Sequence, residues 1–527
     1  MKIEEKIQKR IIFTLFFASG ISGLIYEVVW LRILTRTIGV TAYATAVTLA
    51  AFMAGLALGS YLFGRIVDKR NDQLKIFSML QMWLAVSALI TPFILMGSVH
   101  LYKFISIISH QNTFLISFSK IAISFVSMLL PTMLMGGTLP ALTSYLVKNG
   151  GIFGKNFSLL YGLNTLGSVL GVLLSGFVTI GAIGEWNTIF IAAALNLIIA
   201  FISFALYRNK TGLLPKKDLN TDAEDKIISS QISIYPDNIR RIVLFVFLMS
   251  GFTALAYEVI WTRQLILYLF TSIYAFSGML AVFLTGVALG SVLMNRLVDR
   301  IKTPLVIFAI LELLVGILSI INLYLFGKLD GSLLTRILSP FILVFPLTFI
   351  FGAIFPIASL CYTRSSETAG TSVGLLYAFN AIGNVAGSLL TGFLFITFFG
   401  SSNTVILLGF INIILGFILL WLEPGKSRNF KLSFAAVLPV VLILVLGFKN
   451  KDPFLDVIEN RIAQYATRYE IYSNKETIEG TVTSFIRDGN KHLLVNGYGQ
   501  TTLCTETKIM AHLPMMLAGN PKKMLVI

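Results

Sequence analysis

Ser19-Gly20-Ile21-Ser22-Gly23-Leu24-Ile25-Tyr26-Glu27-Val28-Val29-Trp30-Leu31-Arg32 reappears in the second half of the chain as Ser250-Gly251-Phe252-Thr253-Ala254-Leu255-Ala256-Tyr257-Glu258-Val259-Ile260-Trp261-Thr262-Arg263. Chance alignment of apolar segments matches Leu with Val; it does not produce Tyr-Glu-x-x-Trp-x-Arg twice. The same register, without a gap, brings Gly55, Gly59, Ser60, Arg65 and Asp68 onto Gly286, Gly290, Ser291, Arg296 and Asp299. A second block aligns Tyr161, Asn164, Gly167, Gly171 and Gly176 with Tyr377, Asn380, Gly383, Gly387 and Gly392. The chain is a duplication.

Each copy is built for lipid. Of 527 residues, 56% are hydrophobic and 13% charged, about half the charge of an ordinary soluble chain. Six apolar stretches, each long enough to cross a bilayer, fall in residues 1–208, and six more in 241–422. A polar linker at 209–240 separates them, and a shorter apolar run occupies 433–448. The net charge of +16 is spread over short basic runs between apolar segments, as positive-inside loops produce. It forms no stripe for nucleic acid, which is excluded as a partner. The loop charge places the N-terminus in the cytoplasm of a multi-pass cell-membrane protein. The first apolar run leads straight into further spans, so it reads as a retained helix and not as a cleaved signal. Cys361 and Cys504 are far apart, one in an apolar span and one in the polar tail, so neither a disulfide framework nor a metal site is indicated.

An even number of spans per copy makes both copies cross in the same direction, related by an axis along the membrane normal. The arrangement resembles the two halves of a major-facilitator transporter, and Gly59 to Asp68-Lys69-Arg70 loosely resembles that superfamily's Gly-rich Asp-Arg loop. The expected fold class is therefore an all-α polytopic membrane protein of two parallel-related six-helix repeats.

Glu27 and Glu258 sit well inside apolar helices, where a charge costs roughly 2.5–3.5 kcal/mol or more. Arg32 and Arg263 follow five residues later, about 140° around the helix, too far round for pairing within one helix. Two roles are open for the glutamates: a clamp between helices, or a solute or ion site near the twofold axis. For Arg32 and Trp30 the expectation is an interfacial anchor, with Trp in the headgroup belt and Arg snorkelling. Asn164 and Asn380 share the Gly-lined faces and are expected to hydrogen-bond across helices. The glycine pairs themselves, four residues apart, permit close helix packing. Glu312 and Lys120 lack counterparts in the other copy and receive no role.

From residue 462 the composition changes. Thr481 to Phe485 and His492 to Val495 are β-prone, with turn signals at Asp488-Gly489-Asn490 and Asn496 to Gln500. A helix is expected over about Thr505 to Leu517 and a buried strand at Lys523 to Ile527. Glu479-Gly480, Leu494-Val495-Asn496-Gly497-Tyr498-Gly499-Gln500, His512-Leu513-Pro514 and Pro521 to Ile527 resemble the front of a spermidine synthase: a β-hairpin layer, a helix, and the first strand of a Rossmann-like methyltransferase fold. With the Tyr-Glu-x-x-Trp-x-Arg helices, the whole chain resembles membrane proteins that fuse a major-facilitator-like domain to a spermidine-synthase domain. The resemblance implies Gln500 as a substrate contact. In an intact relative it implies aminopropyl transfer from decarboxylated S-adenosylmethionine to putrescine. Residues 462–527 would then be a truncated catalytic domain, because the family's Gly-rich loop and catalytic aspartate lie beyond Ile527. No catalytic residue, and no bound cofactor, is expected within this chain. Alongside this reading stand a secondary transporter of a polyamine-like or amino-acid-like solute using Glu27 and Glu258, and a membrane scaffold.

Overall fold

A computed structural model describes residues 2–503 except 39–40, 109–112, 150–152, 212–234, 270–271, 330–331, 425–426, 435–437, 440–441, 444–446, 448–451, 464–467, 478–479 and 488, and it also describes Thr507 and Ile509. The first repeat comprises α1 (Lys2–Ile38), α2 (Thr41–Asp68), α3 (Gln73–Ile108), α4 (Thr113–Gly136), α5 (Thr138–Lys148), α6 (Phe153–Leu173) and α7 (Ile180–Thr211). The second comprises α8 (Asp237–Leu269), α9 (Ser272–Leu297), α10 (Pro304–Lys328), α11 (Leu333–Leu343), α12 (Phe345–Tyr362), α13 (Ala369–Leu390) and α14 (Ile396–Leu422). Lipid offers the backbone no hydrogen-bond partner, so every crossing is helical.

Among the described residues, ten apolar helical stretches are long enough to cross a membrane. Two of them, Phe153–Asn209 and Ala369–Leu422, run to 57 and 54 residues, far more than the roughly 20 that one crossing needs. Each reverses at a glycine with left-handed φ, Gly184 (82°) or Gly400 (77°), and so counts as two crossings. A π-helical turn precedes each reversal, at Leu174–Thr179 and Thr391–Phe395. The repeats therefore share even their irregularities.

Helices within a repeat meet through glycine. A Cβ on Gly59 would strike the Met133 carbonyl, and one on Gly290 the Phe349 carbonyl. Gly167 and Gly383 lie equally tight against the Phe17 and Leu248 carbonyls, and Gly171 and Gly387 against those of Ile21 and Phe252. With no hydrophobic drive between helices in lipid, such close backbone contact supplies the packing energy. Asn164 Nδ2 donates to the Phe16 carbonyl at 3.0 Å and Asn380 Nδ2 to the Phe247 carbonyl at 3.1 Å, tying α6 to α1 and α13 to α8.

The repeats are joined at the end of the bundle where α2 finishes and α13 begins. Asp68 accepts from Ser144 Oγ (2.9 Å) and, across the repeat boundary, from the Gly370 (3.0 Å) and Thr371 (2.6 Å) amides. These are donors that a helix start leaves unsatisfied, and a carboxylate is favoured there. Ser291 Oγ on α9 donates to the Ser158 carbonyl on α6 at 2.9 Å, making the matching second seam.

After Leu422 come α15 (Arg428–Ser433), α16 (Pro453–Ala463) and a four-stranded antiparallel meander of β1 (Tyr469–Glu476), β2 (Thr481–Arg487), β3 (Asn490–Val495) and β4 (Tyr498–Leu503). Asn496 and Gly497, with φ of 53° and 76°, form the two-residue hairpin turn that suits the strand twist. The turn expected over Asn496 to Gln500 is therefore shorter: the chain is already extended at Tyr498, and Gln500 lies in β4 at the register shift between the Leu493–Thr501 and Leu494–Gly499 pairs. The expected helix and strand at 505–527 fall almost wholly outside the described residues, as does most of the linker at 209–240.

Most of 433–448 is also outside the described residues, but its flanks are fixed. Glu423 accepts from Tyr235 at 3.0 Å at one end of the bundle, while Asp452 accepts from Ser402 Oγ at 2.5 Å near the start of the descending half of α14. That half is about 30 Å long at 1.5 Å per residue. Glu423 and Asp452 thus lie at opposite ends of the descending half of α14. The meander sits on the face opposite Asp68 and Asp237. Gly59→Ala is expected to lower the melting temperature of the detergent-solubilised protein by several degrees, in line with about 1–3 kcal/mol for overpacking. Gly97→Ala, where a Cβ meets nothing within 4 Å, leaves it unchanged in the same fluorescence melt.

Candidate solute cavity between the repeats

The two repeats enclose a cavity of about 210 Å³. Its wall is twofold. Phe16, Ser19, Leu24, Glu27 and Phe52 line one side, and their duplicates Phe247, Ser250, Leu255, Glu258 and Phe283 the other. Tyr161 and Asn164 likewise face Tyr377 and Asn380. Glu27 and Glu258 are 5% and 4% exposed. Neither has a basic partner among the described residues, and Glu258 Oε1 has no hydrogen-bond partner there. Among the described residues neither carboxylate meets a cation of the kind that completes a buried ion pair.

The symmetry breaks in an informative way. Where the first repeat has Met135 and Leu139, the second has Phe351 and Phe355. The Phe355 ring stands between the duplicated tyrosines, edge-on to Tyr161 (centroids 4.9 Å, 76°) and stacked on Tyr377 (5.9 Å, 13°), with Phe247 at 5.0 Å. The cavity thus combines two carboxylates with an aromatic cluster.

Behind each wall lies a buried polar chain. In the first repeat Gln81 Nε2 donates to Ser19 Oγ (2.7 Å), Ser22 Oγ to Asn196 Oδ1 (2.5 Å), and Asn196 Nδ2 to Tyr26 (3.2 Å). In the second, Thr253 Oγ1 donates to Asn412 Oδ1 (2.9 Å) and Asn412 Nδ2 to Tyr257 (3.2 Å). Fully buried Glu312 takes the place of Gln81 beside Ser250. Glu312 therefore does have a positional counterpart, an amide in place of an acid, which the register of the first repeated block already contains. Extending the second block in the same way pairs Asn196 with Asn412. Lys120 has no described side chain.

Arg32 and Arg263 do not reach the cavity. Arg32 pairs with Glu185 at 3.4 Å, and Arg263 lies under the C-terminal sheet, 4.0 Å from Glu476. Burial raises the Glu476 carboxyl above its ordinary range, against the pull of its Ser401 hydrogen bonds and the Arg263 charge. The interfacial expectation for Trp30 does not hold. Trp30 is 0% exposed and stacked on Tyr26 (5.4 Å, 13°), as Trp261 is on Tyr257 (5.6 Å, 19°). The indole faces neighbouring helices because the bundle, and not the headgroup layer, occupies that side of α1.

The Major Facilitator Superfamily model matches residues 11–386. The chain belongs to that superfamily. A solved structure agrees on the fold. The human organic anion transporter MFSD10 (TETRAN) superposes with a TM-score of 0.51 at 14% identity, covering 78% of this chain and 99% of that one. The E. coli fucose:proton symporter gives 0.49 at 12%, covering 78% and 98%. A comparison with curated protein sequences finds no significant match.

These findings overturn the aminopropyltransferase reading. The family match, over residues 11–386, lies within the membrane domain. Nothing found connects residues 462–527 with a spermidine synthase. Short apolar-polar alternation around an Asn-Gly turn makes a hairpin in any setting, so those motifs do not by themselves point to a spermidine synthase. Of the polar framework, Asn412→Leu is expected to cost about 1–3 kcal/mol by removing the amide that bonds the buried Tyr257 and Thr253 hydroxyls, the latter keeping its bond to the Ser250 carbonyl. Asn403→Ala, which loses only an exposed bond within its own helix turn, costs far less in the same thermal melt.

Proposed function

We propose that this superfamily member is a secondary transporter of a small amine-bearing cation, polyamine-like in carrying separated positive charges. It would bind between Glu27 and Glu258, with its N-terminus in the cytoplasm. The observation that carries this reading is the presence in one cavity of two symmetry-related carboxylates with no basic partner among the described residues. A cation with two charges neutralises both, and a desolvated ammonium gains about 2 kcal/mol from aromatic faces such as Phe355 and Tyr377. An anion would face two like charges in a low-dielectric site. The twofold placement favours a linear solute with an amine at either end, since each repeat offers one carboxylate and one tyrosine, with Asn164 in the first and Asn380 and Asn384 in the second. The aromatic excess of the second repeat gives the two ends unequal seats.

The neutral isosteres test this. In proteoliposomes, Glu27→Gln and Glu258→Gln each keep the folded yield and cut uptake of labelled putrescine or spermidine at least tenfold. Unlabelled diamines compete with that uptake and sugars or dicarboxylates do not. Uptake of a neutral or anionic solute that is indifferent to both substitutions would overturn the proposal, and collapse of folded protein in both variants would return the glutamates to a structural role.

A further inference from the structure

The two repeats finish differently at the rim that carries the sheet. In the first, Glu185 directly follows the Gly184 reversal and pairs with Arg32 and Arg36. The next residue, Trp186, packs on Phe93 with centroids 4.8 Å apart. In the second repeat Gly400 makes the same reversal and Arg263 stands where Arg32 does. The glutamate and tryptophan, however, are replaced by Ser401 and Ser402.

Both serines are engaged from outside the membrane domain. Glu476, at the end of β1, accepts from the Ser401 amide at 3.1 Å and from Ser401 Oγ, and faces Arg263. Arg263 also donates to the Thr477 carbonyl at 2.6 Å. Asp452 accepts from Ser402 Oγ at 2.5 Å. Around this joint Phe454 packs on Phe326 (4.8 Å), and Arg461 bridges the Leu267 and Gly497 carbonyls.

We propose that the Arg263–Ser401–Ser402 rim is a carboxylate-binding seat that docks residues 452–503 on the second repeat, with Glu476 supplying from the C-terminal sheet the carboxylate that Glu185 supplies within the first. Three observations converge. The helix start after Gly400 has free amide donors, which favour an anion. Arg263 is 14% exposed against 51% for Arg32, so its charge must be met by protein and not by water. Substituting small serines at two consecutive positions opens the space that the incoming carboxylates fill, a joint change with no meaning for the helix alone. The sheet therefore travels with the second repeat as part of it, and a carboxylate restored within the helix would displace it.

The test uses the full chain in nanodiscs, with spin labels on cysteines replacing exposed Lys491 and Phe399. The parent protein gives one narrow distance. Glu476→Ser broadens it and lowers the melting temperature. Adding Ser401→Glu to Glu476→Ser recovers the melting temperature but not the narrow distance, and Ser401→Glu alone broadens the distance by expelling Glu476. A narrow distance retained in Glu476→Ser, or no recovery of stability on adding Ser401→Glu, overturns the proposal. Size-exclusion profiles confirm that each variant is folded, and Glu476→Gln, which leaves the helices untouched, gives the same broadening if a helix substitution misfolds.

Discussion

Glycine Cα atoms resting against the carbonyl oxygens of the neighbouring helix are the constraint on which this molecule is built. Where Gly167 meets Phe17, or Gly383 meets Leu248, no side chain separates the backbones, so one helix fixes the height and rotation of the next. Asn164 and Asn380 then find the Phe16 and Phe247 carbonyls within reach. That registration turns Glu27 and Glu258 toward a shared space and away from lipid. A residue larger than glycine at these contacts would shift the helices that carry the carboxylates.

Duplication doubles every such constraint, and the positions where the copies have parted company are the informative ones. Gln81 and Glu312 hold one place with an amide and an acid. Leu139 and Phe355 hold another with an aliphatic and an aromatic group. Glu185 and Ser401 differ in whether the carboxylate is built in or borrowed. Each change leaves the backbone path intact, down to the π-helical turns ahead of Gly184 and Gly400. The scaffold has stayed twofold while its chemistry became directional.

Much of this was legible in the chain. The repeated Tyr-Glu-x-x-Trp-x-Arg block and the glycine spacing gave the six-helix repeats and the two glutamates, because helix periodicity and duplication are local facts of sequence. The cavity's aromatic side was not legible, since Phe355 lies between Tyr161 and Tyr377 only through tertiary packing. Trp30 was misread for the same reason: a residue near a helix end looks interfacial until its neighbours are known. The C-terminal motifs misled in another way. Strand alternation and an Asn-Gly turn describe a meander without saying what it packs against, and here its Glu476 faces the helix start after Gly400.

Tyr235 bonded to Glu423 and Ser402 bonded to Asp452 mark opposite ends of the bundle. The β-meander therefore stands at the far end from the Asp68 seam that joins the two repeats. Whatever modifies or binds one of these ends can influence the other only by way of the helices between them.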